Sequence, residues 1–295
     1  MESARQQKRP VRLLLAPYDS GIAETRMGAG PLAIAPFAER RLRESGVAPS
    51  VHRLDPASTW RPEVETAFEL QRLIAGEAHR AFERGEFPLL LSGNCNATLG
   101  MLAGAAPSGQ RRIGLIWLDG HADFNTPETT STGFLDGQGL AMIVGRCWSQ
   151  ATKRVPGFSP LPEDDVVLVG ARDMGALEER ALNASKIIQV PPPSARQTQD
   201  LAAIISDLVQ RVDAVHLHID LDVHDPQRVA PANSYAAPDG LLTEEVRSMV
   251  PLIRARVPIS SATLAAYDSE ADRGARIRTA AVDLVAELVL GSQPI

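Results

Sequence analysis

Aromatic residues make up only 4% of the 295-residue sequence, too few for the stacking platforms on which single-stranded nucleic acids are read. Cysteine is scarcer still. Cys95 and Cys147 are the only two, which excludes a disulfide framework and leads us to expect a reducing, cytoplasmic setting. Long hydrophobic runs are missing as well. The apolar stretch Val11–Ala16, behind a polar and basic Met1–Pro10, is too short for a signal-peptide core or a membrane span. Excess positive charge is also lacking: the net charge is −6 and the Lys and Arg residues are dispersed, so no basic stripe is offered to a phosphate backbone. The 22 Gly and 22 Pro are scattered, and neither a repeat nor a low-complexity tract marks a linker. One domain over residues 1–295, taking a small-molecule substrate rather than nucleic acid or membrane, is therefore expected.

What is present is an alternation of short apolar runs with longer amphipathic ones. Val11–Ala16, Leu89–Leu91, Ile113–Leu118, Val166–Val169, Ile187–Val190, Ala214–Ile219 and Ser260–Ala265 read as strands. Most are continuously apolar, as strands covered on both faces should be. Between them Glu63–Arg84, Ala176–Ala184, Gln197–Val212, Glu244–Arg256 and Ile277–Val289 carry apolar residues at helical spacing, with Thr243 placed to cap the Glu244 helix. This order predicts an α/β fold, a three-layer α/β/α sandwich around a mainly parallel sheet. Ligands of such sheets gather at the carboxyl ends of the strands.

Two strand ends carry the residues that matter. Ile113–Leu118 runs into Asp119-Gly120-His121-Ala122-Asp123, and Ala214–Ile219 runs into Asp220-Leu221-Asp222. In extended chain, positions i, i+2 and i+4 share a side, so carboxylates and an imidazole converge where only a cation would offset their repulsion. A lone Asp-x-Asp reads more simply as a solvated turn. Two such clusters at the ends of buried strands favour metal ligands, and five ligands suit two hard divalent ions.

These motifs resemble the arginase/agmatinase (ureohydrolase) family over nearly the whole chain. The family's Asp-Ala-His-x-Asp-x-Asn-Thr-Pro corresponds to Asp119 through Pro127, and its Asp-x-Asp-x-x-Asp-Pro to Asp220 through Pro226. Gly28-Ala29-Gly30-Pro31 and Gly170-Ala171-Arg172-Asp173 resemble two further elements in the same order. The resemblance implies an arginase-like fold and a homo-oligomer, commonly a trimer or hexamer. It also implies two divalent ions, normally Mn²⁺, that activate water for attack on a guanidinium carbon. Asp119 and Asp220 would bridge the ions, His121 and Asp222 would complete one, and Asp123 would serve the other.

Departures from the family pattern are as informative. Where the family has Gly-Gly-Asp-His-Ser, this chain has Ser92-Gly93-Asn94-Cys95-Asn96, so Cys95 stands at a histidine ligand's position. It is read here as a ligand, which brings Zn²⁺ or Fe²⁺ into competition with Mn²⁺; the plainer reading is a buried, inert thiol. The exchange is similar to one in the Nω-hydroxy-arginine hydrolase branch. Asp136 replaces a histidine credited with proton transfer, and reads equally as a proton carrier or a solvated loop residue. Alanine in Ala265-Ala266-Tyr267-Asp268-Ser269 takes the place of the glutamate that holds the guanidinium, unless a shifted alignment lets Asp268 or Glu270 stand in. Gly175 falls where arginases keep an aspartate for the substrate's α-amino group. Asn125 and Thr132 match positions that read an α-carboxylate.

Arginine itself is thus not the expected substrate; a C–N hydrolase of a small amidino, guanidino, ureido or amide compound is. A catalytically silent relative and a Zn²⁺-dependent deacylase are the alternatives. Of the remaining polar residues, His224 beside the second cluster is set down as touching substrate, with an idle loop histidine as the alternative. His218 reads as standing behind the ligands or, as base rates favour, as a satisfied core histidine like His216. Arg172 and Asp173 are expected to pair and fix their loop.

Overall fold

The computed structural model describes residues 9–57, 62–106, 112–195 and 198–291; Met1–Lys8 and Gln197 of the expectations above lie outside the described residues. Its strands are β1 (Val11–Ala16), β2 (Tyr18–Asp19), β3 (Ile22–Ala23), β4 (Ser50–Arg53), β5 (Phe87–Ser92), β6 (Ile113–Leu118), β7 (Val166–Val169), β8 (Ile188–Val190), β9 (Ala214–Asp220) and β10 (Ile259–Ala265). Eight of them form one sheet in the order β4-β1-β5-β10-β9-β6-β7-β8, with every neighbouring pair parallel. β2 and β3 form a small antiparallel hairpin. All seven expected strands are present. The eighth, β4, is a polar edge strand of alternating half-buried and exposed residues, without the apolar run that announces the others.

The period-2 geometry of the strands divides their side chains between two helical layers. Leu13, Leu15, Leu89, Leu91, Ile116, Leu118, Leu217 and Ile219 point to one face, covered by helices Gly30–Glu44, Thr198–Leu208, Thr243–Arg254 and Arg276–Leu290. Leu14, Leu90, Leu115, Trp117 and Leu168 point to the other, under helices Glu63–Glu83, Thr98–Ala105 and Ala176–Asn183. The result is the three-layer α/β/α sandwich that the sequence predicts. Each leucine so buried contributes roughly 1.5–3 kcal/mol by transfer from water.

Among the described residues five α-helices were not expected: Gly30–Glu44, Thr98–Ala105 and the short Gly139–Ile143, Ser149–Thr152 and Pro192–Ala195. Gly30–Glu44 holds Pro31 in its first turn, where the missing N–H costs nothing, but Pro36 in its interior disguises it as loop. Thr98–Ala105 is buried on all sides, so it has no polar face to give it a period. Thr243 is the first helical residue rather than the cap; the preceding Leu242 is the N-cap, and its N–H is taken by the Glu245 carboxylate at 2.7 Å. No helix among the described residues is long and apolar enough to cross a membrane.

Candidate metal centre

Strands β6 and β9 lie side by side in the centre of the sheet, with Leu118 opposite Ile219, so both acidic motifs leave the sheet at the same edge. Asp119 is fully buried; its Oδ1 accepts the His121 N–H at 2.7 Å and its Oδ2 accepts the Trp117 Nε1–H at 2.8 Å. Asp220 Oδ1 accepts the Asp222 N–H at 2.7 Å, and Oδ2 accepts the Cys95 thiol at 2.9 Å. Asp222 is held by the Gly120 N–H at 3.1 Å and by Asn233 Nδ2 at 3.2 Å, with His121 Nδ1 3.3 Å from its Oδ2. Gly120 permits this approach as it stands, since a Cβ there would lie 2.8 Å from Asp222 Oδ1 and oblige it to shift. Asp123 adopts a left-handed backbone (φ 48°), and its carbonyl accepts the Leu140 N–H at 2.9 Å.

Three groups of donor atoms lie within 4.8 Å of one another: Asp119 with His121 and Asp222, Cys95 with Asp123 and Asp136, and Cys95 with Asp119 and His218. The polypeptide alone leaves this cluster electrostatically poor. Burial, reinforced by the neighbouring carboxylates, pushes Asp119, Asp123 and Asp220 above the ordinary carboxylate range. Burial lowers the affinity of His121 for its proton, but Asp222 and Asp119 more than reverse this and raise it. Burial would raise Asp222 too, yet His121 and the Asn233 and Gly120 donors outweigh it and hold that carboxyl low. Burial first, then Asp220, raises the Cys95 thiol. The His218 Nε2 atom has no hydrogen-bond partner among the described residues. Oxygen, nitrogen and sulfur donors at this density, one of them bare, fit divalent cations.

Above the cluster opens a cavity of about 280 Å³. His121, Asp123, Asp220, Asp222, Asn125, Thr132 and Asp136 all line it, whereas Cys95 and Asp119 lie buried beneath. Among the described residues no Lys or Arg lines the cavity, and its acidic lining favours cationic groups. Asp136 is not a solvated loop residue: it is 4% exposed, takes hydrogen bonds from the Asn96 N–H (2.8 Å) and Asn94 Nδ2 (2.9 Å), and is pushed up to about 7 by burial. Asn125 Oδ1 accepts the Thr129 hydroxyl at 3.1 Å, and Thr132 Oγ1 accepts the Phe134 N–H at 3.2 Å.

Four expectations are corrected. His224 does not reach the cavity; it is fully buried, with Nδ1 on the Leu221 carbonyl at 2.9 Å. Asp268 and Glu270 stay outside the lining, so neither stands in for the missing glutamate; Ala266 (φ 62°) occupies the wall itself. Arg172 does not pair with Asp173 but spans six backbone carbonyls, those of Gly170, Asp222, Val223, His224, Ala237 and Pro238. The released Asp173 instead lines the cavity, 3.9 Å from His121 Nε2. His216 is satisfied by Ser261 and Thr263, as a core histidine should be, but His218 is satisfied at one nitrogen only.

The sequence reading missed Glu178, whose carboxylate accepts the Phe124 N–H at 2.9 Å and faces the cavity from helix Ala176–Asn183, and Asn233, which also donates to the Ala266 carbonyl at 2.9 Å. Phe134 and Tyr235, stacked at 5.5 Å, line the same cavity.

Comparison with known proteins gives a consistent result. The profile of the arginase family matches residues 9–291. An arginase of Bacillus caldovelox is 29% identical over 295 residues, covering 95% of this chain and 98% of that protein. An N(omega)-hydroxy-L-arginine amidinohydrolase of Streptomyces lavendulae is 30% identical over 207 residues, 70% of this chain and 69% of that protein. Among solved structures, the Bacillus caldovelox arginase superposes with a TM-score of 0.85 at 25% identity, over 97% of this chain and all of the other.

Proposed function

The chain belongs to the arginase family of ureohydrolases, and from that premise we propose that it is a metal-dependent hydrolase cleaving a C–N bond in a small amidino, guanidino or ureido substrate other than arginine. The observation that carries this reading is the convergence of Asp119, His121, Asp123, Asp220 and Asp222 at the ends of two adjacent strands beneath one acidic cavity. We assign these five residues and Cys95 to two divalent ions, Mn²⁺ by family resemblance, with Zn²⁺ or Fe²⁺ favoured where Cys95 contributes. When bound, such ions would lower the pKa of water and favour its attack on the substrate carbon.

The chain's own residues do the rest. Trp117, Gly120 and Asn233 fix the carboxylates of Asp119 and Asp222 in place, so little reorganisation is needed when a cation arrives. Asp136, with a carboxyl near 7 that faces the cavity, is placed to hold a proton for a departing amine. Asn125 and Thr132 are the assigned contacts for a substrate carboxylate. Arginine is disfavoured because its two readers are missing. Ala266 leaves no carboxylate where the guanidinium would be held, and Gly175 has no side chain with which to meet an α-amino group. The resemblance also suggests a homo-oligomer, a trimer or hexamer, which light scattering would test.

The test is turnover by Mn²⁺-, Zn²⁺- and Fe²⁺-reconstituted protein over a panel of guanidino, amidino, ureido and acetylated amines, with urea, hydroxyurea, ammonia and acetate as readouts. Urea, hydroxyurea or ammonia release that Asp220→Asn abolishes supports the reading. No turnover with fully loaded protein would mark a silent relative, and acetate without urea or ammonia a deacylase.

A further inference from the structure

His218 stands two residues before Asp220 on β9, with no exposed surface. Its Nδ1 meets Thr98 Oγ1 at 2.7 Å, while Nε2 is buried without any hydrogen-bond partner among the described residues. The histidine two positions earlier shows the usual arrangement: both nitrogens of His216 are engaged, by Ser261 at 2.7 Å and Thr263 at 3.0 Å. A buried polar atom left bare forfeits its hydration for nothing in return. The bare nitrogen of His218 therefore points to a partner that the polypeptide does not supply.

The surroundings identify that partner's chemistry. A His218 ring nitrogen, Cys95 Sγ and an Asp119 carboxylate oxygen lie within 4.8 Å of one another. The His218 ring lies on Trp117, with centroids 3.6 Å apart and planes at 21°, and the same indole donates Nε1–H to Asp119 Oδ2 at 2.8 Å. One rigid side chain thus fixes both the plane of the imidazole and the orientation of the carboxylate. The Thr98 hydroxyl can accept Nδ1–H, and in that tautomer the Nε2 lone pair is free for a cation.

We propose that His218 Nε2 is a metal ligand, acting with Cys95 and Asp119 on the buried side of the cluster. The imidazole that position 95 lacks is then supplied from the central strand β9 rather than from the loop after β5. The inference rests on the metal-hydrolase reading above and deepens it. Thiolate, imidazole and carboxylate together form a borderline-soft set that selects Zn²⁺, Co²⁺ or Fe²⁺ over Mn²⁺ at this ion.

Co²⁺ titrated into chelator-treated full-length protein provides the test. The expected result is a thiolate-to-cobalt charge-transfer band in the near ultraviolet that Cys95→Ser removes. In His218→Gln, checked for folding by circular dichroism, the affinity of that ion should fall by at least about tenfold, and its visible bands should shift. Affinity and spectrum unchanged by His218→Gln would overturn the proposal. Anomalous diffraction from cobalt-loaded crystals of the unsubstituted chain decides it without any variant: density within bonding distance of Nε2, about 2.1 Å, supports it, and an ion on Cys95 that leaves Nε2 free refutes it. Failure of every metal to bind would sink the hydrolase reading as well, whereas cobalt held independently of His218 sinks this inference alone.

Discussion

Arg172 Nη2 donates to the backbone carbonyl of Asp222 at 2.9 Å, so the loop after β7 holds the loop after β9 through main chain rather than through charge pairing. The guanidinium reaches five further carbonyls and leaves Asp173 free to face the cavity. Arg172→Ala strips these carbonyls of their donor in a half-buried site and is expected to destabilise the protein by roughly 2–4 kcal/mol. Arg172→Lys should recover little, because an ammonium cannot span the same fork of acceptors. Denaturant unfolding of the two variants checks both statements; full recovery by lysine would show that charge alone matters.

Metal removal should reveal the cost of the crowded carboxylates. Burial and mutual repulsion raise Asp119, Asp123 and Asp220 in the folded, metal-free chain above their unfolded values. The folded state then binds more protons than the unfolded one, so metal-free stability falls as pH rises from about 4 through those raised values. Asp222 has the opposite sign but is a single group. Divalent ions should therefore raise Tm most near neutral pH and least near pH 5, with a stabilisation of about 2.7 kcal/mol at a hundredfold excess over Kd. Calorimetry with and without chelator at the two pH values measures this, and a metal effect that grows toward pH 5 would contradict it.

His216 should make the fold acid-sensitive. Burial lowers its pKa to about 3, whereas an unfolded histidine titrates near 6.5. Below pH 6.5 the unfolded chain takes up a proton that the folded chain refuses, so this contribution to stability is full above 6.5 and is lost as pH falls toward 3. About 2 kcal/mol should disappear between pH 6.5 and 5. Replacement by a residue that cannot titrate, His216→Gln, should flatten that part of the pH–stability curve even if it lowers the whole; an unchanged slope would count against the assignment.

Gly175→Asp tests the reading of the cavity wall. A Cβ at this position meets nothing within 4 Å, and the backbone φ of −71° suits any residue. Stability should therefore change by no more than about 0.5 kcal/mol. KM for substrates bearing an α-amino group should fall by roughly tenfold, through about 1.4 kcal/mol of added ion pairing in a partly desolvated site. A rise in KM would show that the substrate lies elsewhere.

Much of this was legible in the sequence. Strands such as Ile113–Leu118 and Val166–Val169 are covered on both faces, so their apolar runs match the observed limits. Asp119, His121 and Asp123 stay together because they follow directly on one strand, although Asp123 turns into the left-handed region instead of continuing extended. Features that depend on distant chain segments were hidden. The burial of Asp136 comes from Asn94 and Asn96, some 40 residues away, and nothing local separates it from a loop aspartate. His224 follows an Asp-x-Asp motif yet turns onto its own backbone. The bare nitrogen of His218 is invisible in a strand where His216, two residues earlier, is fully satisfied.

The empty wall around Gly175 and Ala266 has a consequence in genetics. Glycine and aspartate codons, and alanine and glutamate codons, can differ by one base at the second position. Two point changes would therefore install both carboxylates that this cavity lacks. The space at Gly175 accepts the first without collision; the second must be borne by a backbone in the left-handed region at Ala266. On the proposed reading of the cavity, the route to those two carboxylates is thus a short mutational walk, open at one step and strained at the other.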